Sequence, residues 1–126
     1  MTVTHATTTR DALANQIDAL VNTGAGTAVL RIRQSTTAVV NFNLQNPAFG
    51  DASSGVITLN GVPIVANAVA AGAAVDNFQL LDRGGAVVLS GSVTATGGGG
   101  DIEVTNTNIA SGQECSLESL TYTAPA

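Results

Sequence analysis

The chain has 126 residues, a length that suits one domain, and a formal net charge of −5 with only 10% charged residues. All four basic residues are arginine, so the lysine chemistry of phosphate loops and Schiff bases is excluded. The negative charge and 3% aromatic content also exclude the basic, ring-bearing surface that nucleic-acid binding normally uses. We therefore expect no nucleic-acid partner.

The cysteine count and the hydropathy pattern exclude further classes of protein. The single cysteine, Cys115, excludes an intramolecular disulfide and any Cys-x-x-Cys metal or redox spacing. Residues 1–9 lack the basic and apolar regions of a secretory signal, and the most apolar run, residues 62–75, is too short to span a bilayer. We expect a protein made in a cytoplasm, with no membrane partner and no cofactor.

One helix is predicted after a polar, flexible arm at residues 1–8. An apolar stripe with helical spacing predicts about four turns over residues 9–22. The stripe comprises Leu13, Ile17, Leu20 and Val21, and the opposite face carries Arg10, Asp11, Asn15, Asp18 and Asn22. Thr8 and Asp11 have the spacing of a capping box, and Gly24 and Gly26 favour termination of the helix.

Short strands are predicted from Ala28 onward, because the apolar residues then recur with a period of two. The expected strands are residues 28–33, 39–44, 56–59, 78–81, 86–93, 102–105 and 115–123. Residues 34–37 and 82–85 are expected to form hairpin turns, and Asn60-Gly61 favours a third. Pro63 places the next segment at a sheet edge or a bulge. The pattern predicts a mainly β fold: one β-sandwich or jelly-roll-like domain over residues 9–126, with about seven to eight short strands after the helix.

No catalytic constellation can be assembled from the sequence. The only histidine, His5, lies in the predicted arm, and Cys115 has no histidine or cation near it in sequence. Nucleophilic catalysis needs a nucleophile and a base within hydrogen-bond reach. We expect a protein that is not an enzyme.

Charge of one sign collects at the C-terminal end. Residues 101–126 contain four acids and no cation: Asp101, Glu103, Glu114 and Glu118. With Asn106 and Asn108 these residues offer oxygen ligands for Ca²⁺, but no spaced calcium loop is present, so a solvated acidic face is favoured and no metal is expected. The glycines at 97–100 precede the acids Asp101 and Glu103, which would repel phosphate, and they indicate a flexible loop tip.

Two further groups are candidates for interaction with other subunits. Arg31 and Arg33 share one face of a predicted strand, where they can meet the acidic C-terminal strands of the same chain or of a neighbouring subunit. The weakly charged run 62–75 is predicted to be buried or intersubunit. Within this run the candidate residues for contact with another subunit are Val62, Ile64 and Val65. Asp101 and Glu103, outside the run, are the acidic candidates.

Several local patterns together carry a family resemblance. The second half contains Phe-Gln-Leu-Leu-Asp at 78–82, Val-Val-Leu-Ser-Gly-Ser-Val at 87–93, Gly-Gly-Asp-Ile at 99–102 and Ser-Gly-Gln at 111–113. The first half contains Arg-Asp-Ala-Leu-Ala at 10–14 and Pro-Ala-Phe-Gly at 47–50. In these patterns the chain resembles small virion proteins of tailed bacteriophages, above all capsid decoration (cement) proteins.

The resemblance implies a structural protein on the outer head lattice of the virion, often a trimer. It implies the major capsid protein or other virion proteins, and further copies of the chain, as partners. A tail or fibre-attachment component of the virion is an alternative. A carbohydrate-binding β-sandwich is another, although the chain has no tryptophan and only Phe42, Phe49, Phe78 and Tyr122 as rings for stacking on sugars.

Overall fold

One helix and nine strands form the ordered elements of the computed structural model, which describes residues 3–72 and 74–124. They are α1 (Thr7–Val21), β1 (Val29–Gln34), β2 (Thr37–Asn43), β3 (Val56–Thr58), β4 (Ile64–Asn67), β5 (Asn77–Leu81), β6 (Val87–Ala95), β7 (Ile102–Val104), β8 (Glu114–Leu117) and β9 (Thr121–Thr123). The fold is mainly β and sandwich-like with one N-terminal helix, which confirms the predicted class. Over the described ranges, no helix is long and apolar enough to cross a membrane.

A five-stranded sheet in the order β2-β1-β5-β6-β7 forms the larger layer, and the pairs β3–β9 and β4–β8 form the rest. The hairpins β1–β2 and β5–β6 are antiparallel, as predicted. The predicted hairpin at Asn60-Gly61 is wrong, because β3 pairs with β9 whereas β4 pairs with β8. Gly61 does adopt the left-handed φ of 73° that favours glycine, but the turn leads from one strand pair to another.

The core lies on the inner face of the five-stranded sheet. Leu30 and Ile32 of β1 are buried, and the register places them opposite Leu80 and Phe78 of β5. Since side chains alternate along a strand, Arg31 between them points to the outer face. The largest fully buried side chains are Phe49, Leu30, Ile57, Leu80, Val21, Val39 and Val40.

The helix begins at Thr7, two residues before the predicted start, and residues 1–2 of the predicted arm lie outside the described residues. Ala6 is the N-cap and makes no side-chain capping bond, so the predicted capping box at Thr8 and Asp11 is wrong. The predicted stripe is only partly correct: Val21 is buried, but Leu13 and Leu20 remain 40% and 44% exposed.

The polar side of α1 faces the domain instead, because the segment 48–55 has backbone N–H groups that need acceptors. Four side chains, which we call the helix ladder, accept these bonds. Asp11 accepts from Gly55 (2.6 Å), Asn15 from Ala52 (2.9 Å), Asp18 from Phe49 (3.1 Å) and Asn22 from Ala48 (2.9 Å). The helix is therefore held to the sandwich by polar bonds as well as by Ala14 and Val21.

Candidate functional site

Two cavities flank β7, between the five-stranded sheet and the C-terminal segment that carries β8 and β9. The first, the aromatic cavity, has a volume of about 350 Å³. The second, the acidic groove, has a volume of about 510 Å³. Ile102 lines both. Each volume lies in the range of ligand-binding pockets in proteins, roughly 300–1,000 Å³.

The aromatic cavity collects three of the four aromatic residues of the chain. Phe49, Phe78 and Tyr122 line it, and the first two belong to the buried core. Its polar lining residues are Ser90, Asp101, Thr121 and Thr123. Tyr122 is the partly exposed ring, and beside the hydroxyl groups and the carboxylate it can stack on a ligand whose hydrogen bonds they accept.

The acidic groove has an apolar floor and a charged rim. Ile32, Val40 and Phe42, on the inner face of the sheet, form the floor. Three exposed carboxylates stand at the rim: Glu103, Glu114 and Glu118. No arginine or histidine lines the groove.

The two strands beside the groove each have a free edge. β7 is the last strand of the five-stranded sheet, where it pairs in parallel with β6. β8 pairs only with β4. Within residues 3–72 and 74–124, no backbone hydrogen bond joins β7 to β8. The predicted C-terminal strands therefore border the same groove without pairing with each other.

Asp101 and Glu103 lie at the cavities, where the carboxylate of Asp101 bonds to β6 and that of Glu103 bonds to the connection between β6 and β7. Asp101 Oδ2 accepts from the backbone N–H (3.0 Å) and the hydroxyl (3.2 Å) of Ser92. Glu103 accepts from the N–H groups of Gly97 (3.3 Å) and Gly99 (3.1 Å). The amides of the glycine loop thus bind the chain's own carboxylate. Among the described residues, no three acidic, histidine or cysteine side chains cluster closely enough to hold a metal ion.

Arg31 and Arg33 lie on the opposite side of the sheet from the groove. Their Nε atoms donate to the Oδ1 atoms of Asn41 (2.9 Å) and Asn77 (2.8 Å) on the adjacent strands. In the described part of the chain neither arginine bonds to a C-terminal acid, so the same-chain alternative is not found. The physical reason is position: residues 31 and 33 point to the outer face, whereas the segment that carries Glu114 and Glu118 lies over the inner face. Glu103 lies in the edge strand β7, which β5 and β6 separate from β1.

One acid, Asp76, does lie near Arg33, immediately before the first residue of β5. A hydrogen bond from the Asn77 side chain lowers the pKa of this carboxyl, the backbone N–H of Ser35 lowers it further, and the Arg33 charge contributes least. The Arg pair is thus fixed by Asn41 and Asn77 on a polar outer face with one ionised carboxylate beside it.

The run 62–75 is divided between the core and the surface, and residue 73 lies outside the described residues. Val62 and Ile64 are half-buried against the core, whereas Val65 is 55% exposed. Ile64 and Val65 belong to β4, an edge strand as Pro63 predicted. This segment is partly buried within its own domain, and Val65 is left exposed to solvent.

Sequence reasoning missed the helix ladder and the aromatic cavity. The sequence contains a local pattern for the helix ladder, because its four side chains follow helical spacing and all offer a carboxylate or amide oxygen as an acceptor. They are Asp11, Asn15, Asp18 and Asn22. No local sequence pattern predicts the aromatic cavity, because its three rings come from separate segments of the chain.

Cys115, the candidate nucleophile considered in the sequence, lies in the wall of the acidic groove. Burial raises the pKa of its thiol, which disfavours the reactive thiolate.

Comparisons of the chain with protein-family models, with curated proteins and with solved structures found no match.

Proposed function

We propose that the protein is a non-enzymatic structural subunit of a tailed-bacteriophage virion, a decoration (cement) protein that binds and stabilises the outer head lattice. The observation that carries the proposal is the separation of charge. Arg31 and Arg33 stand on the outer face of the sheet, and Glu114 and Glu118 stand in the segment that covers its inner face.

Opposite charges on opposite sides of one domain cannot pair within it, but they can pair between subunits. A contact between two different faces is heterologous, and such contacts form a closed ring when the rotation between subunits closes. A trimer on the capsid surface is one such ring. Exposed apolar side chains at Val65, Val69 and Val87 add surface that gains from being covered by a neighbour.

Reversal of the Arg pair tests this proposal. We expect Arg31→Glu combined with Arg33→Glu to lower the mass found by light scattering and to abolish cosedimentation with heads that lack the protein, because two attractive contacts become repulsive. Arg31→Lys with Arg33→Lys keeps the charge and is the matched control. Both variants give up the Nε donors to Asn41 and Asn77, so a native circular dichroism spectrum of each is the control for folding.

An unaltered protein that is monomeric and does not bind heads would overturn the decoration role. Cosedimentation with isolated tails instead of heads would favour the tail or fibre-attachment alternative.

A carbohydrate-binding module is the second candidate, and the aromatic cavity favours it. Tyr122 is the one partly exposed ring there, beside Asp101 and Thr123. On a glycan array we expect this function to give hits that Tyr122→Ala removes and Tyr122→Phe retains, because stacking on a sugar needs the ring rather than the hydroxyl. An array without hits eliminates this candidate.

A further inference from the structure

We propose that the acidic groove is an acceptor site for an extended, basic segment of another polypeptide, which adds as a strand in the gap between β7 and β8. The inference goes beyond the virion role and does not depend on it. It stands on the strand edges, the apolar floor and the charge of the groove.

The strand edges supply the backbone contacts. β7 is bonded on one side to β6, and β8 is bonded on one side to β4, so each presents its other edge to the groove. Free strand edges offer unpaired N–H and C=O groups, and an extended peptide that pairs with them gains main-chain hydrogen bonds. A strand in this gap would bridge the two sheets.

The floor supplies the apolar contacts. Ile32, Val40 and Phe42 lie beneath the gap, and Leu117 of β8 stands beside it. In an extended strand alternate side chains point to one face, so a segment with an apolar residue at every second position would place them on this floor. The floor residues are already buried, but Val104 of β7 is only partly buried at the groove, and covering its apolar surface is favourable.

The rim selects the charge of the segment. Glu103, Glu114 and Glu118 surround the gap, with no arginine or histidine among the lining residues. The remaining side chains of an added strand point toward the rim, where lysine or arginine is attracted and an acid is repelled. The occupant is therefore an extended segment that alternates apolar and basic residues.

A second copy of the chain does not fit this description. Among the described strands, Val29–Gln34 alone alternates apolar residues with arginine, and it is the interior strand β1, bonded to β2 and β5 on its two sides. Release of that strand would dismantle the five-stranded sheet of the donor. The segment must come from a different polypeptide.

Cys115 provides a reporter for the test, because it lines the groove and is the only cysteine. The probe is a short, end-blocked peptide that alternates lysine with valine, and the readout is the rate at which iodoacetamide alkylates Cys115 at mildly alkaline pH. We expect this peptide to slow alkylation in a saturable way. A matched peptide that alternates glutamate with valine should give no protection.

Two further comparisons separate strand addition from plain charge attraction. Glu114→Gln combined with Glu118→Gln should lower the affinity of the lysine peptide for the groove about tenfold. Asp51→Asn, which removes an acid outside the groove, is the control and should leave that affinity unchanged. An N-methylated lysine peptide keeps its charge but cannot donate backbone hydrogen bonds, so it should not protect Cys115. Equal protection by the N-methylated peptide, equal protection by the glutamate peptide, or no protection by any peptide would each overturn the proposal. None of these outcomes bears on head binding, so the virion role is tested separately.

Discussion

Phe49→Ala is expected to lower the free energy of unfolding by about 3–5 kcal/mol and the Tm by about 10–20 °C. Phe49 is the largest of the fully buried side chains, with 1% of its surface exposed. Its backbone bridges to Leu59 and donates its N–H to Asp18 of the helix, while its ring lines the aromatic cavity. Loss of the ring leaves a void between the helix and the sandwich.

Two controls make this result specific, with thermal unfolding followed by circular dichroism. Phe49→Leu keeps part of the volume and should cost clearly less than the alanine variant. Val65→Ala removes methyl groups from a side chain that is 55% exposed, and such surface changes are usually within about 0.5 kcal/mol. A Phe49→Ala protein with the Tm of the Val65→Ala control would show that the ring does not stabilise the fold.

The strands were predictable from sequence because their signal is local. Alternation in Leu30-Arg31-Ile32-Arg33 requires only neighbouring residues, and β1, β2, β5 and β6 lie close to their expected positions. Strand pairing is different, because it depends on contacts distant in sequence. The predicted strand 115–123 is divided into β8 and β9, which pair with β4 and β3, and nothing within that segment reveals this division.

The β6–β7 pair illustrates the same limit. Parallel neighbours normally need a long crossover, but here residues 96–101 suffice. Gly97 and Gly99 adopt left-handed φ values of 88° and 79°, which let the chain reverse within a few residues. The glycine run therefore predicted a loop correctly, but no local pattern indicated that the loop joins parallel strands or that Glu103 binds its amides.

The candidate site was predictable only in its charges. The acids at 101–118 were identified as one acidic region, and they do lie along the cavities. The apolar floor beneath them comes from β1 and β2, far away in sequence. A period of two shows that Ile32 and Phe42 are buried, but not that a groove between two other strands lies over them.

Asp11→Ala combined with Asp18→Ala is expected to lower the free energy of unfolding by about 3–5 kcal/mol, an effect as large as the loss of Phe49. Each carboxylate accepts the N–H of a buried residue, Gly55 or Phe49. A hydrogen bond to a charged group contributes about 1.5–3 kcal/mol, and its loss leaves a buried donor without an acceptor. The gain in helix propensity from each alanine is only about 0.5 kcal/mol, so the loss dominates.

The effect should be additive, because the two side chains are two helical turns apart, roughly 10 Å. Asp51→Ala is the matched control, since it removes an exposed carboxylate from the same segment that the ladder binds. Amide exchange gives a second readout: residues 7–21 and 48–55 should lose protection together, because the ladder holds each against the other. If the double variant unfolded at the temperature of the Asp51→Ala protein, the apolar contacts of Ala14 and Val21 would be sufficient to hold the helix, and the polar side of α1 would have no role in fixing it.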